Sequence, residues 1–131
     1  TANDVDDGDS GANDLLNYPI PSSFTVDASG TPTVNGTFDT EPTSAGRLFA
    51  INLWSNSACD PSGHGEGEVY AGSALVVLDG SGDAGFSVPL DISLDPGETV
   101  YISATALLVA PYTKLPIRMT SEFSPCLTVT R

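Results

Sequence analysis

The stretch WSNSACDPSGHGEG, residues 54–67, decides the interpretation of this chain together with SEFSPC, residues 121–126. These segments hold Cys59 and Cys126, and the chain has no other cysteine. The runs between them have the alternation and the turn spacing of β-strands. A bond between the two cysteines would join a loop of the first half of the fold to its last strand. We therefore predict a β-sandwich that this disulfide cross-links.

The composition points to a secreted protein that does not bind polyanions. Four basic residues face seventeen acidic ones among 131 residues, and the formal net charge is −13. Nucleic acids and anionic membrane surfaces both need positive charge in their partners, so neither is an expected partner. No apolar run approaches the roughly 20 residues of a membrane helix. The sequence shows no signal-peptide pattern, so we expect a mature chain or a piece of a larger protein. A secreted chain favours the disulfide over the alternative of two buried thiols.

Seven strand-like runs follow one another between turn signals. They are Ser23–Ala28, Thr33–Thr40, Arg47–Trp54, Glu68–Leu78, Phe86–Ile92, Thr99–Val109 and Phe123–Thr130. The number and spacing of these runs predict an all-β, immunoglobulin-like Greek-key sandwich of seven or eight strands over residues 22–131. Residues 1–21 are predicted to form an acidic linker or N-terminal arm.

Alternation along the third run predicts which side chains enter the core. Phe49, Ile51 and Leu53 share one face of this run and are expected to be buried. We expect Val100, Ile102 and Ala104 to cover them from a facing strand. Pro89 predicts either a sheet edge or a bulge in its own strand, because proline cannot donate a ladder hydrogen bond.

Most of the chain resembles a β-sandwich module of large secreted or surface bacterial proteins, in which the module commonly follows a parallel β-helix. The resemblance lies in CDPSGHGEGEVYAGS (59–73), FSVPL (86–90), DPGETVYISATA (95–106) and TSEFSPC (120–126), and in the opening 20 residues. The most specific part is CDPSGxGEG paired with the distal SEFSxC. The resemblance implies an extracellular or cell-surface location, an immunoglobulin-like architecture and no catalytic activity.

The N-terminal segment carries a cluster of candidate calcium ligands. They are Asp4, Asp6, Asp7, Asp9 and Asp14, on a backbone that Gly8 and Gly11 bend. Calcium takes about six to eight oxygen ligands in a flexible geometry, which such a loop supplies. The alternative is a solvated acidic linker that repels itself and stays extended. Calcium is the only cofactor that the sequence suggests.

A second candidate cation loop spans residues 60–68. Asp60, Glu66 and Glu68 supply carboxylates between glycines, and His64 is the only histidine of the chain. The alternative is a glycine-rich surface loop with His64 as a solvated tip. The chain has no G-x-S-x-G or H-E-x-x-H motif, and we expect no enzyme.

Aromatic side chains offer a possible sugar platform, because aromatic faces suit the apolar faces of sugars. The candidates are Trp54, Tyr70, Tyr101 and Tyr112, with Tyr112 and Trp54 the preferred ligand contacts. Tyr112 lies in a stretch, residues 107–119, that is longer than the turn the family has there. The alternative is that most of these rings pack the sandwich.

These observations favour a non-catalytic structural or adhesive module of a bacterial surface or secreted assembly. Its expected partners are other protein modules, copies of itself or extracellular polysaccharide. One alternative is a filament subunit joined by N-terminal strand exchange, with LLNYPI (15–20) as the donor. Another alternative is a carbohydrate-binding module.

Overall fold

The computed structural model describes residues 2–5, 16–110 and 120–131, and this part of the chain is all-β as predicted. Its strands are β1 (Ile20–Val26), β2 (Pro32–Asp39), β3 (Leu48–Asn56), β4 (Val69–Val77), β5 (Asp83–Pro89), β6 (Thr99–Ala110) and β7 (Leu127–Thr130). The 3-10 turn Pro42–Ser44 lies between β2 and β3. Within the described residues, no helix has the length and apolar character needed to cross a membrane.

The strands form two antiparallel sheets, in the orders β1-β2-β5 and β4-β3-β6-β7. Inward side chains from both sheets belong to one apolar core. The rings of Phe38 on β2 and Phe49 on β3 meet edge to face across the two layers, with centroids 5.1 Å apart. The arrangement is that of a β-sandwich, because two sheets each bury one face against the other.

The inward face of β3 is the one that alternation predicts. Phe49, Ile51 and Leu53 each have an exposed fraction of 0%. Ala104 on β6 is equally buried, but it is the cross-strand partner of Leu53 within the same sheet. The expectation that the β6 residues face β3 from the opposite layer was therefore wrong. Period-two alternation assigns a residue to a face but does not identify the sheet of a neighbouring strand.

The described residues of the predicted N-terminal arm pack onto the sandwich. Leu16, Asn17 and Tyr18 are 5%, 2% and 7% exposed, and β1 already begins at Ile20. The predicted boundary between residues 21 and 22 thus falls inside a strand. Residues 16–19 contribute to the fold, so a strand exchange that used LLNYPI would have to withdraw them from it.

Two asparagine side chains join the start of the chain to the entry of β1. The Asn3 amide donates to the Tyr18 carbonyl (2.7 Å) and accepts from the Tyr18 N–H (2.8 Å). The Asn17 amide pairs in the same way with the backbone of Asp4, at 2.8 and 3.1 Å. The Asn17 amide also donates to the carbonyl of Asp39 on β2. These bonds bring the two ends of the acidic segment together at the edge of the sandwich.

Candidate functional site

The predicted disulfide is confirmed. Cys59 and Cys126 are bonded, with their Cα atoms 6.3 Å apart and a separation of 67 positions in sequence. The bond joins the loop after β3 to the segment that leads into β7. We call the region built on it, residues 54–68 and 120–126, the disulfide end.

A tight turn orders the loop beside Cys59. The Gly63 N–H donates to the Asp60 carbonyl (2.8 Å), and the Ser62 N–H donates to the Asp60 carboxylate (2.9 Å). Gly63 has φ +87°, a backbone conformation that favours glycine. The Gly63 carbonyl then accepts the Cys126 N–H (2.9 Å), so the turn binds the second half of the disulfide. The Ser62 N–H, followed by the Ser62 hydroxyl, lowers the pKa of Asp60 below its ordinary value.

Asn56, at the end of β3, is the centre of the hydrogen bonds at this end. Its side chain is 2% exposed, and its carbonyl oxygen accepts the N–H groups of Glu66 and Glu68, both at 3.2 Å. Its amide group donates to the Tyr101 carbonyl (3.1 Å) and to the Ser103 hydroxyl (3.2 Å) on β6. One buried amide thus fixes the returning half of the loop to the sheet. A sequence pattern does not reveal this role, because these four partners lie 10 to 47 positions away along the chain.

Gly65 lets the loop approach the sheet closely. A Cβ atom at this position would overlap the Ser103 hydroxyl of β6. The Gly65 N–H donates to the Ser124 carbonyl (3.1 Å), and the Ser124 hydroxyl accepts the Ala104 N–H (2.8 Å). The segment before β7 therefore runs along β6 and is bonded to the loop as well.

The carboxylate of Glu68 closes the other side of the loop. It accepts the Ser57 N–H at 2.9 Å and the Ser57 hydroxyl at 3.0 Å. These bonds, the backbone N–H first, lower the pKa of Glu68 below its ordinary value. Glu68 thus ties the first and last residues of the loop together.

The acidic residues of the predicted second cation loop do not form a set of three ligands. Asp60 binds the turn at Ser62 and lies beside the Glu66 carboxyl, whereas Glu68 binds Ser57. Among residues 2–5, 16–110 and 120–131, no three acidic, histidine or cysteine side chains lie together as metal ligands would. The cation site at residues 60–68 stays a prediction, with no converging ligand set in its support.

His64 is a half-buried residue with defined partners, and the expectation of a solvated tip was wrong. Its Nδ1 lies 2.7 Å from the carbonyl oxygen of Phe123, so Nδ1 carries the proton and donates it. Its ring meets the Tyr18 ring edge to face, with centroids 5.4 Å apart. His64 therefore links the loop to the N-terminal segment and to the segment before β7.

The preferred aromatic candidate, Trp54, lies in a small cluster on the outer side of the sheet. Its ring meets Tyr70 and Phe123 edge to face, at centroid distances of 5.7 and 6.0 Å. Its indole N–H already donates to the Thr105 hydroxyl (3.1 Å). Tyr70 is 51% exposed, so its ring is the part of the cluster that is open to solvent. Tyr112 lies outside the described residues.

The candidate calcium ligands fall mostly outside the described part of the chain. Asp4 lies within it, and its backbone pairs with Asn17. Asp6, Asp7, Asp9 and Asp14 lie in the range 6–15, which the structure does not describe. The calcium site remains a prediction.

The sequence did not point to a carboxylate pair in the other sheet. Asp39 and Asp83 are cross-strand partners on β2 and β5, and the Oδ1 atom of each is buried without a hydrogen-bond donor among the described residues. The neighbouring Asp39 carboxyl, followed by burial and the nearby charges of Asp39 and Asp79, raises the pKa of Asp83.

Replacing Asp83 by asparagine is expected to stabilise the fold at neutral pH. A raised folded-state pKa gives stability that is present below the unfolded-state pKa, about 4, and is lost as pH rises through the folded-state value. Asp83→Asn removes this loss and supplies an N–H donor for Asp39. Melting temperatures between pH 3 and pH 8 should show a gain that shrinks towards acid. The control Asp79→Asn should destabilise at pH 7, because Asp79 accepts the N–H groups of Ser81 and Asp83. A less stable Asp83→Asn protein at pH 7 would contradict the raised pKa of Asp83.

Four polar side chains of the disulfide end hold the polypeptide of that end in place. Asn56, Asp60 and Glu68 accept loop N–H groups, and His64 donates to the backbone of the facing segment. The disulfide and these bonds join the loop after β3 to the entry of β7 in one hydrogen-bonded corner. Comparison of the chain with models of known protein families and with curated proteins gave no match.

Proposed function

We propose that this chain is a non-catalytic structural or adhesive module of a bacterial surface or secreted assembly. The observation that carries the proposal is structural: the disulfide and the polar side chains of the disulfide end fix backbone segments to one another. Disulfides persist in oxidising compartments, which supports an extracellular location. The net charge of −13 keeps such a module soluble and away from polyanions.

The sheet orders support an immunoglobulin-like Greek-key arrangement. β5 returns to pair with β2, although β3 and β4 intervene in sequence and belong to the other sheet. The chain thus changes sheet after β2, after β4 and after β5. Crossings of this kind distinguish Greek-key sandwiches from simple meanders.

A carbohydrate-binding module is the second candidate, and the exposed ring of Tyr70 favours it. Glycan-array binding tests the two candidates against each other. The structural module should bind no glycan at micromolar concentration, whereas a sugar platform should bind and lose binding in Tyr70→Ala. Tyr101→Ala, which changes a half-buried tyrosine on β6, is the matched control. Glycan binding that Tyr70→Ala abolishes and Tyr101→Ala retains would replace the structural proposal by the carbohydrate one.

Calcium binding by the N-terminal aspartates belongs to the same proposal. The bonds of Asn3 and Asn17 support it, because they hold the two ends of the acidic segment beside each other, as an ion-binding loop requires. An ion that binds only the folded form at a hundredfold excess over its Kd adds about 2.7 kcal/mol to the free energy of unfolding. Thermal unfolding in chelator and in millimolar calcium measures this gain. The variant Asp6→Asn/Asp7→Asn/Asp9→Asn should lose it, and an equal gain in both proteins would exclude the N-terminal site.

A further inference from the structure

Edge strands differ sharply in how well they are protected against pairing with another chain. Each sheet has two, namely β1 and β5 in one and β4 and β7 in the other. Pro21 lies in β1, while β5 carries Asp83 and ends at Pro89, and β7 has only four residues. Proline, charge and short length are the devices by which natural edges avoid strand addition. Three of the four edges therefore carry such a device.

The fourth edge strand, β4, lacks these devices over its second half. Its nine residues, Val69–Val77, include no proline and no charged side chain. The Asp91 N–H donates to the Ala71 carbonyl (2.7 Å) and so covers the first half of the edge. Within the described chain, the backbone of residues 73–77 is hydrogen-bonded only to β3. Unpaired N–H and C=O groups along an extended edge are a template for another strand.

Apolar side chains surround this open edge on the outer face of the sheet. Leu75 and Val77 are 66% and 64% exposed, and their partners on β3 are Ala50 and Leu48. Leu107 on β6 pairs with Ala50 from the other side. No charged residue belongs to this patch, although the chain carries seventeen acidic residues. At the centre of this edge, around Leu75, two molecules of this charge would therefore meet without opposing carboxylates.

We propose that residues 73–77 of β4 pair with the same residues of a second copy of this chain. A strand that pairs with its own copy about a two-fold axis is antiparallel, and the interface is self-complementary. An axis at Leu75 sets the two Leu75 side chains opposite each other and Ser73 opposite Val77. The two four-stranded sheets then join into one sheet of eight strands. This inference is independent of the proposed function.

The pairing is weak and depends on salt. Five residues extend about 17 Å, which gives an interface smaller than the roughly 1,200 Å² of stable complexes. At each end of the pairing, residue 79 of one copy lies opposite residue 71 of the other. The Asp91 N–H of that other copy donates to the carbonyl of residue 71, so Asp79 of one copy approaches Asp91 of the other. Salt screens this repulsion, so the dimer strengthens as ionic strength rises.

Sedimentation equilibrium tests the proposal on the full chain. We expect a dimer that grows between about 10 µM and about 1 mM protein, and more strongly at high than at low salt. Leu75→Lys and Leu75→Glu should both give monomers, because a charge of either sign is desolvated at the axis. Ser87→Lys and Ser87→Glu, which change an exposed residue on the edge strand β5, are the matched controls and should still dimerise. A wild-type chain that stays monomeric at 1 mM and high salt, or an equal loss in the controls, would overturn the proposal.

Cross-linking gives a second test that does not depend on affinity. Both native cysteines are bonded, so Leu75→Cys introduces the only free thiol. Residues opposite each other in an antiparallel pair have Cα atoms about 4.5–5.5 Å apart, which lies within the range of a disulfide. Mild oxidation should convert Leu75→Cys into a covalent dimer and leave Ser87→Cys monomeric. Equal cross-linking of both variants, or none in Leu75→Cys, would exclude this interface.

Discussion

Replacing both Cys59 and Cys126 by serine is expected to lower the free energy of unfolding by about 4 kcal/mol. The physical reason is that the bond closes a loop of 67 residues and so removes conformations from the unfolded chain. For a chain of this size, the melting temperature should fall by roughly 10–20 °C. Circular dichroism on the oxidised wild type and the double variant measures both quantities.

The wild type in reductant is the matched control for this experiment. It should lose as much stability as the double variant, since reduction opens the same loop without changing the sequence. The double serine variant should not respond to reductant. A melting temperature within about 3 °C of the wild type would mean that the bond does not restrain the unfolded chain as the entropy model requires.

The second large effect is expected at the centre of β3. Ile51→Ala should cost about 2–5 kcal/mol, because Ile51 is fully enclosed between the sheets and its truncation leaves a cavity. Val69→Ala, which truncates an apolar residue of β4 that is 54% exposed, should stay within about 0.5 kcal/mol of the wild type. Denaturant unfolding at constant slope measures both. Equal losses in the two variants would contradict the assignment of Ile51 to the core.

The strands of this fold could be predicted because local chemistry determines them. Alternation in RLFAINLW identifies the buried face of β3, and the structure has Phe49, Ile51 and Leu53 there. Pro89 indicated an edge or a bulge, and β5 is an edge strand that pairs with β2 alone. The position of β6 could not be predicted in the same way. Which strands share a sheet depends on long-range pairing, and alternation is silent about that.

The candidate site was predictable only where covalent chemistry marked it. Two cysteines in a secreted composition allow one intramolecular bond, and that bond is present. Asn56 was not foreseen, because its amide joins Glu66 and Glu68 to strand β6 and nothing in its neighbourhood in sequence announces this. The carboxylates of residues 60–68 suggested a cation by composition. In the fold, Asp60 and Glu68 bind separate N–H groups of their own loop.

The carboxylate pair of Asp39 and Asp83 shows the same limit in the other sheet. The two residues are 44 positions apart and meet only because β2 and β5 are in a particular register. Their like charges would argue against the pairing if they were judged from sequence alone. The neighbouring Asp39 carboxyl raises the pKa of Asp83 in the folded chain, and only the register of β2 and β5 reveals this contact.

Hydrogen exchange at the disulfide end tests the central claim most directly, which is that its polar groups serve to hold the backbone. The N–H groups of Gly65, Glu66 and Glu68 lie outside the seven strands, yet each donates to a defined partner. We expect them to exchange as slowly as the amides of β3, and to become fast in Asn56→Ala at Glu66 and Glu68 but not at Gly65. Exchange of all three in the wild type as fast as at Gly80, in an exposed turn, would contradict a rigid structural corner.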